Sequence, residues 1–317
     1  MPLLSVMHSI LGLLYQWNLC KIMFSVYIVA ISLSGSIINF LSGVVTVPPL
    51  LLQAFVFGKM ASDSQVSRLL ALLEVPRRWF LHFYILASIV VTVALTLVWH
   101  VCVLGASLPG WAASILDLLT SPHRTHAVSA TSATLALCLL ALQIYRRLYE
   151  NLCVSIFSSG HMNILHYIVG HTHYLGAVAL LISQAPGFTT RESPVVFTRI
   201  EVQHVVGSLM FLFGFVVQHQ SLCLLAGLRK NRGEQMQEKY LMPEGGLFEV
   251  VSCPHMLAEV VIYAGVLVVL GPLTDWLWVT LWVLSNQVQV AVMNHNWYQD
   301  TFKDYPKHRC AIIPFLL

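Results

Sequence analysis

The stretch that decides the architecture is Phe248-Glu249-Val250-Val251-Ser252-Cys253-Pro254-His255-Met256-Leu257-Ala258-Glu259, preceded by Pro243-Glu244-Gly245-Gly246-Leu247. Two more polar stretches follow it, Asn294-His295-Asn296-Trp297-Tyr298 and Tyr305-Pro306-Lys307-His308-Arg309-Cys310-Ala311-Ile312-Ile313-Pro314-Phe315. Polar and ionisable side chains set this closely against hydrophobic spans are hard to explain as membrane filler. Unpartnered polar groups in hydrocarbon cost several kcal/mol each.

Outward from these stretches, the chain reads as membrane protein. It is 57% hydrophobic and 10% charged, with a mean hydropathy of +0.75; soluble domains carry about 25% charged residues. Apolar runs of about 20 residues mark transmembrane helices. The candidates are 22–45, 82–104, 127–145, 164–185, 203–226, 255–271 and 275–293. The expectation is an all-α integral membrane protein, with about seven transmembrane helices in one bundle and a single domain over 1–317. Residues 1–17 are also apolar. They lack a basic leading region and an A-x-A site, so they read as an interfacial helix or an eighth span rather than a cleaved signal. The longest polar interruptions are 58–80 and 227–254, with Pro243-Glu-Gly-Gly as a turn. Residues 105–126 form a loop on the opposite face.

Charge placement orients the bundle. With a non-cytosolic N-terminus, thirteen of the seventeen Lys and Arg residues fall on the cytosolic side, the C-terminal ones included, as the positive-inside rule expects. The net charge of +3 and the lack of a charge run give no sign of nucleic acid. No feature points to an assembly, and the chain reads as a monomer. The seven cysteines are scattered without a C-x-x-C pair, which disfavours a disulfide framework or zinc ribbon; they read as small buried hydrophobes. His161, His166, His171 and His173 cluster around one span, but ligands sharing a metal on a helix sit at i,i+3 or i,i+4. Here the spacings are five, five and two, so hydrogen-bonded or interfacial histidines are expected and no metal. No G-x-G-x-x-G or Walker glycine loop is present.

Asn286, Gln287, Gln289, Asn294, His295 and Asn296 begin inside a hydrophobic span. Such a set predicts a polar cavity or ligand channel, the competing role being interhelical hydrogen bonding. Glu249 and Glu259 are each expected to pair with a basic residue such as Arg309 or to sit in the site.

With these residues in view, the chain resembles the steroid 5α-reductase family, in its polyprenol (polyprenal) reductase branch. The segment 248–259 is similar to the branch's F-E-Y-V-S-S-P-N-Y-L-A-E. Tyr305–Leu316 is similarly close, Val75–Tyr84 resembles V-P-K-R-Y-F-x-H-F-Y, and Arg146–Ser155 resembles R-R-L-F-E-x-L-Y-V-S. Phe57-Gly58-Lys59 resembles the family's Y-G-K. The likeness runs from about residue 57 to the end; residues 1–56 match only as hydrophobic helices.

The resemblance implies an endoplasmic reticulum membrane enzyme with a cytosol-facing cofactor pocket. It would use NADPH to reduce a double bond conjugated to a carbonyl of a polyisoprenoid lipid, in the dolichol synthesis that supports protein N-glycosylation. It implies cofactor contacts from Lys59, Arg229, Tyr240, His295 and Tyr298, with His255 standing where the pattern has Asn. The stretch Gln218–Leu228 is about two residues shorter than in the branch, so that Leu222 or Ser221 occupies the place of a usual cofactor contact. Glu74, in Glu-Val-Pro, matches the family's Glu-x-Pro acid, and in a membrane-embedded pocket such a carboxyl would stay protonated and donate; its structural role would be pairing with Arg77 or Arg78. Tyr145 stands nearest to the second donor, one position off.

Hydride adds to an alkene only if the developing charge is delocalised, for example onto a carbonyl oxygen stabilised by a donor. An allylic alcohol lacks that carbonyl, so polyprenal is preferred over polyprenol as the direct substrate. A 3-oxo-4-ene steroid or an enoyl thioester is the related alternative. A transporter or receptor is the alternative of a different class; transporters show repeats with helices broken in corresponding halves, which this chain lacks.

Overall fold

The computed structural model describes residues 17–41, 73–156, 160–189, 195–234 and 240–317. Helix α1 (Leu19–Ser36) starts where the Asn18 side chain accepts from the Lys21 N–H, and ends in a π-helical turn at Ile37–Leu41. Strand β1 (Glu74–Pro76) and a 3-10 turn (Arg77–Trp79) lead into α2 (Phe80–Val98). A short α3 (Gly110–Thr120) precedes α4 (Ala130–Tyr149), which Ser129 caps and a π-helical turn extends through Val154. Strand β2 (His161–Asn163) pairs antiparallel with β1, Glu74 opposite Asn163, and Asn163 caps α5 (Ile164–Ser183). Then come α6 (Val202–Glu234), α7 (Pro254–Leu270) and α8 (Trp276–Thr301).

Among the described residues, helices stand at each of the seven expected positions. Four stretches have the length and hydropathy of a membrane span: Leu19–Leu41, Arg77–Val103, Ile164–Ser183 and Val202–Lys230. The others differ for physical reasons. Polar residues dilute α4 and α8, and α7 has only 17 residues. The expected loop 105–126 instead contains α3, whose Ala112, Leu116 and Thr120 are buried. The apolar segment 1–16 lies outside the described residues.

Two interfaces set the geometry of the site. Helices α6 and α7 make the most intimate contact because glycines let their backbones touch. A Cβ added at Gly207 would lie 2.5 Å from the Gly265 carbonyl oxygen, and one at Gly214 would lie 2.7 Å from that of Ala258; small residues at such crossings are how membrane helices pack closely. Helix α8 lies against α1. There the Asn39 amide donates to the Gln289 side-chain oxygen (2.8 Å) and backbone oxygen (3.1 Å), and Gln289 donates to Ser36 (3.2 Å). Gln289 is therefore interhelical glue and not a channel wall. Asn294 donates to the Val290 carbonyl of its own helix.

Burial of the cysteines departs from expectation. Cys20, Cys102 and Cys253 are buried, whereas Cys138, Cys153 and Cys223 are exposed. The histidines behave as hydrogen-bonding groups: His171 bonds the Tyr167 carbonyl oxygen and His173 the Tyr263 hydroxyl, both at 2.8 Å.

Candidate functional site

The Pro-Glu-Gly-Gly turn forms as read. Gly245 and Gly246 adopt φ of 90° and 55°, backbone that residues with a Cβ rarely accept. The turn feeds a 3-10 segment (Gly246–Glu249), and the chain then meets its own C-terminal tail. Ser252 N–H donates to the Cys310 carbonyl (2.8 Å), Cys310 N–H to that of Val250 (3.0 Å), and Cys253 N–H to that of Ala311 (3.2 Å). Arg309 holds this cap shut: Nη1 donates to the Pro243 carbonyl (2.8 Å), and Nη2 reaches Glu249 Oε2 at 3.3 Å. Glu249 is thus one of the paired carboxylates. The Gly245 N–H donated to it, and then the Arg309 charge, hold its carboxyl below the usual range.

The cap seats the end of α8. Ser252 Oγ bonds His295 Nδ1 at 2.6 Å and the Tyr305 hydroxyl at 2.5 Å. The other His295 ring nitrogen meets Gln299 at 2.8 Å. One turn on, Tyr298 is buried and stacks on Tyr305 with centroids 5.8 Å apart, while Trp297 meets the Tyr240 ring edge-to-face at 5.0 Å. Burial raises the Tyr305 phenol, so it stays a neutral partner in this array.

Basic groups converge beside it. Arg229, near the end of α6, donates to the Ile156 carbonyl at 2.7 Å. Its charge is felt both at Tyr298 and at Arg77, and Tyr240 lies within the field of Arg77. Three of the expected cofactor contacts, Arg229, Tyr240 and Tyr298, thus meet at one end of the bundle, joined by Arg77, which was expected only to pair with Glu74. The Arg229 charge disfavours that of Arg77, and an anionic phosphate set against them would relieve that repulsion. The residues fit an anionic nucleotide. Close by, a cavity of about 630 Å³ is lined by Val217, Ser221, Leu224 and Leu228 of α6 and by Gly246 and Leu247. Of the two residues left open by the shortened stretch, Ser221 lines this cavity and Leu222 does not.

Deeper in the bundle lies a polar cluster, of which sequence reading singled out only Glu259. Gln143, Arg146, Arg147 and Glu150 recur at i, i+3, i+4 and i+7 on α4, so they form one stripe, and the stripe faces inward. Arg147 Nη1 donates to Glu150 Oε2 at 2.5 Å, and its Nε and Nη2 donate to the Tyr84 hydroxyl at 3.2 and 3.1 Å. Arg146 donates to Gln143 Oε1 at 2.7 Å, to Gln218 Oε1 and to the Phe215 carbonyl. Glu259 Oε2 accepts from Gln143 (3.3 Å) and from Gln218. Glu150 is fully buried. Two cations and two carboxylates with hydrogen-bonding amides between them satisfy the condition under which charge is tolerated inside a bundle. The available signal was Gln and Arg-Arg followed by Glu on an apolar helix, although Arg146 and Arg147 were counted as loop charges.

The same stripe explains where Tyr145 goes. It lies between inward positions, so it points outward, is 41% exposed, and bonds Thr92 at 2.8 Å; it does not face the cluster. Glu74 is exposed on β1, where alternation turns Val75 inward, and the embedded surroundings expected for its carboxyl are not what the described residues provide. His255 stands in the first turn of α7 with its ring beside Phe248, and its carbonyl accepts from Gln218 at 3.4 Å. Lys59 lies outside the described residues.

The family described as 3-oxo-5-alpha-steroid 4-dehydrogenase matches residues 189–317, the part that contains α6, the cap and the tail. A polyprenal reductase of Drosophila melanogaster is 36% identical over 99% of this chain and 98% of its own length. Those of Danio rerio and Homo sapiens are 36% and 35% identical, over 82% and 77% of this chain and 85% and 78% of their own lengths.

Proposed function

Since the chain belongs to the polyprenal reductase branch of the steroid 5α-reductase family, we infer that it is an oxidoreductase that saturates the α-isoprene double bond of polyprenal, a step of dolichol synthesis. The observation that carries this is the end-to-end identity with the fly relative. The electrons come from a nicotinamide cofactor, which we assign as NADPH; when bound, its dihydronicotinamide supplies a hydride. Arg229 and Arg77 would hold its phosphates, Tyr240 and Tyr298 would border it, and the cap keeps His295 oriented through Ser252. Lys59 and His255 complete the contacts assigned from the family pattern. A hydride arriving at the β-carbon drives negative charge onto the aldehyde oxygen. Glu74, exposed at the start of β1, is the donor we assign to that oxygen, its carboxyl to be covered by the bound lipid. Tyr145, bound to Thr92 on the outer face, is left out of this assignment.

The test is NADPH oxidation by detergent-purified protein offered polyprenal, polyprenol, an enoyl thioester or a 3-oxo-4-ene steroid. Consumption with polyprenal alone is the expected result; consumption with the steroid alone would replace the reading by the activity in the family's description. Arg229→Ala should raise the NADPH requirement roughly ten- to a hundred-fold, since a charge-assisted hydrogen bond is worth about 1.5–3 kcal/mol. An unchanged requirement in folded protein would remove Arg229 from the site.

The helices suit a multi-pass membrane protein. We place it in the endoplasmic reticulum with seven spans, the cofactor pocket and the C-terminus facing the cytosol. The eleven basic residues that remain on that side once Arg146 and Arg147 are placed inside the bundle support this orientation. A C-terminal tag should then be digested by protease in intact microsomes, and its protection would reverse the topology.

A further inference from the structure

Beside the polar cluster, on the outward side of α6, stands a second constellation that the reductase reading does not use. Cys223 Sγ lies 3.6 Å from His219 Nε2, one helical turn away. His219 Nδ1 lies 2.8 Å from Glu150 Oε1. Glu150 is fully buried, His219 is 40% exposed in its side chain, and Cys223 is exposed and lines the 630 Å³ cavity. The order is nucleophile, imidazole, buried carboxylate. A carboxylate beside Nδ1 holds the proton there and leaves Nε2 as an acceptor aimed at the thiol, the arrangement by which a base activates a cysteine. Arg146 and Arg147 share Glu150, and these contacts fix the carboxyl group in place beside His219.

The other exposed cysteines have no such arrangement. Neither Cys138 nor Cys153 has a basic side chain bonded to its sulfur among the described residues, and they serve as internal controls. The cavity is walled mainly by Val217, Leu224, Leu228 and Leu247, which suits an apolar reagent over a charged one.

We propose that Cys223, His219 and Glu150 form an activated-thiol site that captures α,β-unsaturated aldehydes and related soft carbon electrophiles by conjugate addition. His219 Nε2 takes the S–H proton. The sulfur pair forms an S–C bond at the β-carbon, and the π pair of the double bond moves toward the carbonyl to give an enolate. The proton on Nε2 then returns to the α-carbon. The product is a saturated thioether aldehyde; no oxidant or reductant is consumed. This chemistry stands apart from hydride transfer, and it rests on the reductase reading only for the suggestion that a lipid enal is the natural electrophile.

The experiment follows adduct formation by mass spectrometry in the full-length detergent-purified protein, without NADPH, using nonenal and N-ethylmaleimide as separate probes. A thiol of ordinary acidity is a few per cent thiolate at neutral pH. An imidazole within reach takes the proton as the sulfur attacks, so a thiol that has such a partner reacts faster at the same pH. Cys223 should therefore react about tenfold faster than Cys138 and Cys153 with both probes. His219→Ala should bring Cys223 down to the rate of the controls. Because His219 is half-exposed, that variant keeps the fold, which thermal unfolding of the same preparation verifies. Equal rates at the three cysteines, or a Cys223 rate unmoved by His219→Ala, would overturn the proposal. Because the assay contains no NADPH, its outcome is independent of whether the protein reduces polyprenal.

Discussion

Glu74→Gln is expected to lower polyprenal turnover about 10²–10⁴-fold, the contribution typical of a positioned acid, while NADPH binding stays at the parent value. The amide keeps the shape of the carboxyl but has no acidic proton to share with the oxygen that becomes negative. The structure sharpens this test. Glu74 is on the exposed face of β1 and makes no salt bridge with Arg77 or Arg78 among the described residues. A surface substitution of that kind changes stability by no more than about 0.5 kcal/mol. The structural role weighed for it at the sequence level would therefore leave almost no trace in a melting curve, and a large loss of turnover with unchanged melting would be chemical in origin. Parent-rate reduction of polyprenal by Glu74→Gln would remove the residue from the mechanism and move the search for a donor to the embedded cluster, whose carboxyls are Glu150 and Glu259.

The second large effect is on stability. Glu150→Ala should cost about 3–5 kcal/mol, the usual penalty for breaking a buried ion pair by removing one partner. The deletion leaves Arg147 and Arg146 in the bundle without the carboxylate that compensates them. Solvent cannot rescue Arg146, whose guanidinium is tied to Gln143 and Gln218 and covered by the Phe215 ring at 4.1 Å. The measurement is thermal unfolding in detergent of Glu150→Ala beside Glu150→Gln, which retains volume and some hydrogen bonding. A melting temperature for Glu150→Ala equal to the parent's would mean that water or lipid headgroups already solvate the arginines, and the cluster would then not be buried in the membrane protein.

The two effects differ in how far they were visible beforehand. Glu74 was legible because Glu-Val-Pro is a local pattern, carried in three adjacent residues. The embedded cluster was not, because its members come from α2, α4, α6 and α7, and single residues such as Gln143 or Gln218 look in sequence like isolated polar interruptions. Only the helical phase of α4, set against the packing of α6 on α7 through Gly207 and Gly265, turns four of its residues into one inward stripe. The same phase sends Tyr145 outward, although in the sequence it is the immediate neighbour of Arg146. Gln289 shows the converse: its intramembrane position was correctly read as needing partners, yet whether these were a ligand or Asn39 and Ser36 depended on which helix lay opposite.

What the chain determined by itself is what hydropathy, turn stereochemistry and contiguous motifs encode: helices at the expected positions, a glycine turn at 245–246, and family membership through the segments around 248–259 and 305–316. These are properties of neighbouring residues, and the physics that fixes them is local or depends only on the solvent. Tertiary structure alone decided which polar groups meet. It joined Arg77 to Arg229 from two distant segments, closed the C-terminal tail over Ser252, and set Glu150 behind His219 and Cys223. Side chains separated by tens of residues become partners only when helix phase and crossing geometry bring them within hydrogen-bond reach, and a sequence without its packing carries no measure of that distance.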